Sequence, residues 1–405
     1  MTELFGLALV FIVALSFIYI AILMPEIRTI ILVALILRII MIIIGHYYVS
    51  LPDSLDDALT IESLAWFWAE DGKLGFLLDP EKYSIDNIYS YMIALPYSIL
   101  GRSTLIPLAF NLSVSMATII LGWHLSKKIW NRVVARNMGW IIALYPSIIL
   151  YSSVTLREVY VWFFLLLTIN SIINWNKTNE SKQIIITLIN FFLLSLFHGP
   201  LLLGAFIFLF IVILRKFKEI YPDLKMMKIK AIDILILSIA FGIVINFLLG
   251  NIDISKLPNF DFNIIFKEIL NRSAFATRGD ASYPDFTQYN SIFEILYKTP
   301  IKLFFFFGSP FPWDVKKLGH FIVMFDSFFY LFLISLILKN LRYIWSNYTL
   351  RILLIIFIFY SIIFAIGIGN FGTGYRHRTK FLILLLLIVA PYLPSIRINP
   401  KIINK

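Results

Sequence analysis

The sequence predicts an all-α protein that crosses a membrane many times, and three observations lead to this prediction. Of the 405 residues, 60% are hydrophobic and only 15% are charged, and phenylalanine alone occurs 38 times. The mean hydropathy is +0.86, which implies more apolar surface than a soluble core can bury. Apolar runs of about 20 residues recur along the chain, and this is the length an α-helix needs to span the hydrocarbon core.

The apolar runs predict about eleven spans in a single transmembrane domain covering residues 1–405. The N-terminus is expected outside and the C-terminus inside. The first run has neither a basic leader nor a small-residue cleavage site, so we expect it to be retained as a helix. The predicted spans are Leu4–Met24, Thr29–Val49, Thr104–Leu125, Asn137–Ser153, Glu158–Trp175, two short spans within Gln183–Leu214, Ala231–Gly250, Leu318–Leu338, Ile352–Gly369 and Phe381–Ile396.

Charge distribution determines the predicted orientation. Clusters of basic residues follow the third span and the residue run 183–214, and the positive-inside rule places both clusters in the cytoplasm. Residues 50–103 and 251–316 then form two long outer-face loops. Ile88–Gly101 is expected to be interfacial or re-entrant, since a full span there would reverse the topology. Leu303–Trp313, which contains Gly308, Pro310 and Pro312, is expected to be re-entrant or interfacial as well.

Several functional classes are disfavoured by composition. The chain has no cysteine, so it can form neither disulfides nor a thiolate site. No phosphate-binding P-loop and no dinucleotide glycine fingerprint appears, so nucleotide-driven transport has no support. The net charge of +11 is explained by the cytoplasmic clusters, and we expect no nucleic-acid partner. Potential metal ligands do not occur at a convincing spacing.

The first outer loop concentrates acidic residues next to the membrane. Asp53, Asp56 and Asp57 open a loop whose nine carboxylates also include Glu62, Glu70, Asp71, Asp79, Glu81 and Asp86. A carboxylate within hydrogen-bond reach can take the proton of an attacking hydroxyl, so the three aspartates are candidate catalytic residues. The alternative is structural, because Ser54 to Asp57 has the S-x-x-D form of a helix N-terminus ahead of an amphipathic run, Ala58–Ala69.

A short turn near the C-terminus carries positive charge on the predicted outer face. The turn covers Asn370–Lys380 and contains Arg376, His377, Arg378 and Lys380. Cations on this side run against the positive-inside rule, and they could bind a lipid-linked phosphate through charge-assisted hydrogen bonds. Anchoring of a helix end to lipid headgroups is the alternative.

Three other groups are weaker candidates for substrate binding. Arg157 and Glu158 lie at a predicted membrane edge, where they can pair with each other or hold a phosphate. Arg278 and Asp280 flank a glycine in a run typical of solvated loops. His198 lies beside Gly199-Pro200, whereas His46 and His124 are more typical of structural histidines. Arg38 and Asp326 fall within predicted spans, where a charged residue suggests either a functional role or pairing with another charge.

The order of short motifs resembles the N-terminal half of C-type polytopic glycosyltransferases, which include protein mannosyltransferases. The resemblance covers roughly Leu51 to Trp175 together with the late turn that contains Arg376 and Arg378. The motifs are the aspartate-bearing loop, LGRS at 100–103, LSKKIWNR at 125–132, ALYPS at 143–147, and YSS at 151–153 ahead of Arg157-Glu158. The chain departs from the family in an extra N-terminal span and in FHGP at 197–200, where many members have an arginine.

The resemblance implies an enzyme of the bacterial inner membrane with its active site on the periplasmic face. It implies a polyprenyl-phosphate or polyprenyl-pyrophosphate sugar donor, a base at Asp56 or Asp57, with Asp53 a weaker candidate, and phosphate near Arg376 and Arg378. No cofactor is implied, although some relatives with pyrophosphate donors use a divalent metal. Implied partners are the bilayer, the donor lipid and other polysaccharide-assembly proteins.

In size and layout the chain also resembles O-antigen and capsule repeat-unit polymerases, which transfer a whole oligosaccharide. A flippase or another transporter of lipid-linked oligosaccharides is a third alternative. It would be favoured by internal repeats and by charges along a central path, and neither is evident in the sequence.

Overall fold

The computed structural model describes residues 2–70, 87–223 and 281–394, and these ranges contain helices and no β-strand. The helices are α1 (Thr2–Leu23), α2 (Arg28–Tyr47), α3 (Asp57–Glu70), α4 (Ile88–Leu100), α5 (Leu105–Ile129), α6 (Arg132–Leu144), α7 (Pro146–Ser152), α8 (Glu158–Thr178), α9 (Ser181–Phe197), α10 (Leu203–Asp223), α11 (Ile292–Gly308), α12 (Leu318–Lys339), α13 (Leu341–Ser346), α14 (Tyr348–Gly367) and α15 (Phe371–Val389). The prediction of an all-α fold is confirmed for these residues.

Seven of the described helices are long and apolar enough to cross a membrane, or up to eight if α6 and α7 together form one bent span. The fold therefore fits a multi-pass membrane protein. The predicted number of about eleven spans is not confirmed. One predicted span, Ala231–Gly250, lies outside the described residues, as does the first part of the second outer loop, 251–280.

The structure corrects two local predictions. The predicted span Asn137–Ser153 is two helices, α6 and α7, and the first of them begins earlier, at Arg132. The predicted turn Asn370–Lys380 is helical from Phe371 onward, so it forms the first turns of α15. Its glycines and cations suggested an exposed turn, but Arg378, Thr379 and Lys380 are buried and therefore lie in helix that packs against other elements.

Backbone contacts divide the chain into two compact units. The first unit contains α1 to α3, nearly all of α4, α5 to α7, the start of α8, and the chain from Leu385 onward. Within this unit α5 is the central helix and packs against α1, α2 and α6. Three of its polar side chains, Asn111, Ser115 and Thr118, are buried, and Asn111 Nδ2 donates to the backbone oxygens of Val154 and Leu156 at 2.7 and 3.0 Å.

The second unit contains the rest of α8, α9 to α14, and α15 as far as Leu384. In this unit α14 packs against α10 and α11, and the Tyr360 hydroxyl of α14 donates to the backbone oxygen of Leu201 at 2.6 Å. Gly204 is required here, because a Cβ would lie only 1.9 Å from the Tyr360 hydroxyl oxygen. The sequence prediction of a break at 197–200 is confirmed, since α9 ends at Phe197 and a short 3₁₀ turn, Gly199–Leu202, precedes α10.

In the first unit an arginine completes an interrupted helix. α6 and α7 meet at an angle of 57° at Tyr145-Pro146, and Pro146 lacks the N–H that would donate to the Ile142 carbonyl in a continuous helix. Arg38 of α2 donates to that carbonyl at 3.4 Å and to the Ala143 carbonyl at 3.1 Å. Its Nε donates to Ser115 Oγ at 2.8 Å, so a fully buried guanidinium satisfies the open end of α6.

In the second unit the end of α11 has an equivalent arrangement. The helix ends at Gly308 ahead of Ser309-Pro310, and Pro310 lacks the N–H that would donate to the Phe306 carbonyl. Arg378 of α15 donates to that carbonyl at 3.4 Å and to the Ser309 carbonyl at 2.8 Å. The segment Leu303–Trp313 therefore contains the last six residues of a 17-residue helix and the start of a short 3₁₀ turn, Pro312–Asp314, that follows it.

Candidate functional site

A cavity of about 280 Å³ lies in the first unit, where the segment after α2 meets α3 and α5. Apolar side chains such as Leu51 and Leu108 form part of its wall. Its polar lining residues are His46, Ser50, Ser54, Glu62, Thr104, Ser153 and Thr155. Hydroxyl, imidazole and carboxylate groups beside an apolar wall can orient and deprotonate a polyhydroxylated ligand, so we treat this cavity as the candidate functional site.

The most buried acidic residue of the cavity is Glu62, which is 3% exposed. Its carboxylate accepts two hydrogen bonds from Arg102, at 3.0 Å from Nε and 2.7 Å from Nη2, and a third from the Tyr97 hydroxyl at 3.0 Å. This bidentate ion pair raises the pKa of Arg102, and burial, with Glu62 beside it, raises the pKa of Tyr97. The carboxylate is thereby fixed in orientation at the cavity wall.

A glycine places Arg102 opposite Glu62. Gly101 follows α4 with φ at +82°, a left-handed conformation that ends helices, and its N–H donates to the Tyr97 carbonyl at 2.9 Å. A Cβ at this position would also lie 2.4 Å from Thr2 Cγ2. The Arg102 side chain remains 44% exposed and lies over the Trp66 ring, 5.7 Å from its centroid. It therefore has donor groups beyond the two that bind Glu62.

A second polar group at the cavity is a carboxylate–imidazole–hydroxyl chain. Glu3 Oε1 lies 2.7 Å from His46 Nε2, and Thr104 Oγ1 lies 3.0 Å from His46 Nδ1. If Nε2 carries the proton and donates to Glu3, Nδ1 is left as an acceptor for the Thr104 hydroxyl. A carboxylate that orients an imidazole in this way prepares it to accept a proton, so His46 is a second candidate base beside the aspartates.

The three predicted catalytic aspartates lie on the segment that leads into the cavity. Asp53 accepts a hydrogen bond from the Tyr151 hydroxyl at 2.8 Å and has a positive φ of 62°, which is uncommon outside glycine. Asp56 and Asp57 are exposed where α3 begins, and the Asp56 carbonyl accepts the first helical bond, from Thr60. They flank residues that line the cavity, Ser54, Leu55 and Ala58. Their predicted role as base stays a prediction.

The pair Arg157-Glu158 is placed at the start of α8, as the sequence predicted. Glu158 is fully buried, whereas Arg157 is partly exposed. The Nε of Arg157 is itself buried and finds no hydrogen-bond acceptor among the described residues. Thr155, which precedes the pair, lines the cavity. The arrangement keeps a guanidinium close to the candidate site, and its predicted substrate-binding role stays a prediction.

In the second unit the structure brings two predicted histidines together. His198 and His377 have ring centroids 5.4 Å apart, and the Phe364 ring lies 5.2 Å from each of them. Lys380 Nζ lies 3.2 Å from His377 Nδ1, and Arg376, one residue before His377, is partly exposed. His198 and His377, two residues predicted to bind substrate, thus form one group although they are far apart in sequence.

Arg378 differs from its neighbours because protein groups surround its guanidinium. It is fully buried, its Nε donates to Asp326 Oδ2 at 3.0 Å, and its Nη2 donates to Ser327 Oγ at 2.8 Å. These bonds, added to those that complete α11, indicate a structural role beside the predicted substrate-binding role, which stays a prediction. Arg278 and Asp280 lie outside the described residues.

Sequence reasoning did not single out Glu3, His46, Glu62, Thr104 or Arg102 as site residues. In the sequence Glu62 is one of nine carboxylates in the acidic loop, and the position of His46 near a span end is typical of a structural histidine. The available signal was polarity at the ends of apolar runs, with Glu3, His46 and Thr104 each at such an end. Which of those ends lie together follows only from the packing of α1, α2 and α5.

Comparisons with protein-family models and with curated proteins found no match to this chain. The resemblance to polytopic glycosyltransferases therefore rests on the short motifs of the sequence. Among the described residues no group of three His, Cys, Asp or Glu side chains is arranged to hold a metal ion.

Proposed function

We propose that this protein is a glycosyltransferase of surface-polysaccharide assembly in the bacterial inner membrane. It transfers sugar from a polyprenyl-phosphate or polyprenyl-pyrophosphate donor to an acceptor hydroxyl at the periplasmic face. The observation that carries the proposal is the cavity of the first unit, where Glu62, His46 and Thr104 line a polar wall next to the segment that bears Asp53, Asp56 and Asp57.

In the proposed reaction the acceptor oxygen attacks the anomeric carbon of the donor sugar. A bond forms between that oxygen and the carbon, and the bond from the carbon to the donor phosphate oxygen breaks. The acceptor proton passes to a base, for which Asp56, Asp57 and His46 are the candidates, and the electron pair leaves with the phosphate. The polar wall can also hold the other hydroxyls of the sugar, as concave polar sites do.

The resemblance to polytopic glycosyltransferases implies that cations near Arg376 and Arg378 stabilise the phosphate as it leaves. Arg376 and His377 are partly exposed on the first turns of α15, with His198 beside His377. Guanidinium and imidazolium groups bind phosphate oxygens with short, charge-assisted hydrogen bonds. Arg102 is a further candidate, because its side chain is 44% exposed and is paired with Glu62, which lines the cavity that would bind the acceptor.

Two alternatives share this chemistry or this location. A repeat-unit polymerase would perform the same bond exchange but would transfer a whole oligosaccharide, and the protein's size and its two predicted outer loops favour it. A transporter of lipid-linked oligosaccharide would need no base, so the carboxylates around the cavity argue against it.

The test uses a strain that lacks the gene and is complemented with wild type or variants. The lipid-linked and surface glycans are resolved by gel electrophoresis and mass spectrometry. A surface glycan that stops at one repeat unit would identify a polymerase, and loss of a single sugar from full-length chains would identify a monosaccharide transferase. Accumulation of complete lipid-linked units on the cytoplasmic face would instead support the transporter.

The variants Asp57→Asn and Arg376→Ala are expected to abolish the product while the protein remains inserted and expressed. Glu180→Gln removes an exposed carboxylate from the segment between α8 and α9 and serves as the matched control, with wild-type product expected. Wild-type product levels from both site variants would remove the site assignment. Asp56→Asn and His46→Gln then show which group is the base.

A further inference from the structure

A second cavity lies within the second unit, away from the histidine group. Its volume is about 540 Å³, and it is bounded by the end of α8, the second half of α10 and the start of α14. Tyr360 of α14 lies beside Leu201 just before α10, whereas Tyr348 of α14 lies beside Arg215 late in α10, so the two helices are antiparallel. Twelve helical residues separate Tyr348 from Tyr360, roughly 18 Å along the axis, and the cavity therefore lies toward the opposite helix ends from His198.

Two guanidinium groups line this cavity, and both lie close to the same aromatic ring. Arg215 lies 5.3 Å and Arg351 lies 5.0 Å from the centroid of Tyr348. Arg215 also lies 4.9 Å from the ring of Trp175, and its Nη1 donates to Asn176 Oδ1 at 3.1 Å. Asn176 is held in turn, because its Nδ2 donates to Thr349 Oγ1 at 2.6 Å. The rings and the amide fix the orientation of Arg215 before any ligand arrives.

The described residues that line the cavity include two arginines and no acidic side chain. Guanidinium presents a planar fork of donors that matches the oxygens of a phosphate group. The polar end of the cavity is therefore suited to a phosphate.

The rest of the lining is apolar, and it continues along the helices. Ile211, Leu214 and Ile355 form this part of the wall, and Leu214 is 48% exposed. Phe210 and Phe217 on α10 are also exposed, so the apolar surface extends beyond the cavity. A free phosphate would leave this apolar surface exposed to water, whereas the acyl chains of a lipid would cover it. The basic residues at this end also match the side that the positive-inside rule assigns to the cytoplasm.

We propose that this cavity is a binding site for an anionic phospholipid of the cytoplasmic leaflet. The phosphate binds between Arg215 and Arg351, the Asn176 amide holds Arg215 toward it, and an acyl chain lies along Ile211, Leu214 and Ile355. The bound lipid ties together α8, α10 and α14 at this membrane face and stabilises the folded protein by mass action. This site is independent of the glycosyltransferase proposal.

The experiment measures lipid binding to the purified full-length protein by native mass spectrometry and by thermal unfolding in detergent. The probe is phosphatidylglycerol, with phosphatidylcholine as the neutral comparison. We expect phosphatidylglycerol, and not phosphatidylcholine, to raise the midpoint of unfolding of the wild type. Arg351→Gln is expected to weaken phosphatidylglycerol binding by about tenfold or more, because one charge-assisted contact is lost. Arg342→Gln removes an exposed arginine on α13 and is expected to bind as the wild type does.

A second variant, Arg351→Lys, guards against a fold defect, since it keeps the charge and loses only the fork of donors. We expect it to bind phosphatidylglycerol with an affinity between those of the wild type and Arg351→Gln. Equal binding by the wild type and both Arg351 variants would overturn the site. Equal binding of phosphatidylglycerol and phosphatidylcholine would show that the lipid's charge does not contribute to binding, and this result would also overturn the proposal. If inorganic phosphate competes as tightly as phosphatidylglycerol, the site takes a soluble anion and the lipid assignment is wrong.

Discussion

Each unit of this protein contains a fully buried arginine that completes a helix interrupted by proline, but the two arginines differ in how their charge is balanced. Arg378 has the carboxylate of Asp326 at 2.9 Å. Arg38 has the Ser115 hydroxyl and backbone carbonyls, and no carboxylate pairs with it among the described residues. The shared feature shows that a buried guanidinium can take the place of the N–H that proline lacks.

The difference between Arg38 and Arg378 separates two stabilising roles of a buried arginine, capping of backbone carbonyls and pairing with a carboxylate. Capping of carbonyls is common to both arginines, whereas among the described residues a carboxylate neutralises Arg378 and none neutralises Arg38. Burying an ion without a counter-ion is expensive, so Arg38 must depend on several oriented carbonyl dipoles. Removal of one charged group should therefore cost more stability in the second unit than in the first.

The largest effect is expected from Asp326→Leu, which leaves the Arg378 charge buried without its carboxylate. The free energy of unfolding should fall by about 3–5 kcal/mol, seen as low expression and a lower midpoint in detergent. The double variant Asp326→Leu, Arg378→Met should be less destabilised than the single variant, because no charge then remains uncompensated. If the double variant is less stable than Asp326→Leu alone, carbonyl capping by Arg378 outweighs the balance of charge.

A smaller loss is expected from Arg38→Met. The change leaves the Ile142 and Ala143 carbonyls without these donors, but it also removes a buried charge that lacks a carboxylate partner. The two effects oppose each other, and we expect a net loss of about 1–3 kcal/mol in the same thermal assay. Arg136→Gln removes an exposed arginine of α6; it is the control and should behave as wild type. A loss as large as that of Asp326→Leu would contradict the distinction between the units.

The pair Glu62–Arg102 extends the comparison to a partly exposed arginine. Water can solvate Arg102 when Glu62 is changed, since its side chain is 44% exposed. A double-mutant cycle of Glu62→Gln and Arg102→Gln should therefore give a coupling free energy of about 1–2 kcal/mol, below that of Asp326 and Arg378. Coupling equal to that of the buried pair would show that exposure is not what separates them.

The smallest expected effect concerns Lys302 of α11, a helix that is not among the candidate spans. Lys302 is fully buried, donates to the Ile366 carbonyl and lies over the Tyr289 ring. Burial, with some repulsion from Lys298, lowers its pKa from 10.5 to about 8. Between these two values the unfolded chain binds the proton and the folded chain does not, so stability rises with pH across this window and is constant below about 8.

Thermal unfolding of wild type and Lys302→Met at pH 7, 8 and 9 checks this prediction. The stability of the wild type relative to the variant should fall by about 1 kcal/mol from pH 9 to pH 8 and change less from pH 8 to pH 7. A difference that does not vary with pH would mean that Lys302 keeps its ordinary pKa in the folded protein.

Much of the fold could be predicted from the sequence, because helix existence depends on local hydrophobicity. The ends of α2, α8 and α12 lie within about three residues of the predicted spans, as is usual for helix boundaries. The break near His198 was also marked by Gly199-Pro200. In contrast, Pro146 lay inside a run that was predicted as one span, and the sequence did not indicate that Arg38 makes a bend possible there.

The candidate site was predictable only in part. Asp53, Asp56 and Asp57 lie on the segment that leads into the cavity, and their catalytic role stays a prediction. The late cations Arg376 to Lys380, expected in an exposed turn, lie on a helix. That error has a physical cause. Glycine and charge favour an exposed turn locally, but burial with Asp326 and Ser327 as partners satisfies Arg378 within the helix.

The sequence alone determined the class of protein, the approximate lengths of its helices and the polar residues available for chemistry, because these depend on local composition and on the thickness of a membrane. The tertiary structure decided the partners. Glu62 meets Arg102 across 40 residues and Asp326 meets Arg378 across 52, and no local period encodes either choice. These pairings follow instead from the need to provide partners for buried charges and for backbone carbonyls that lack a helical donor. Only the packed chain brings those partners together.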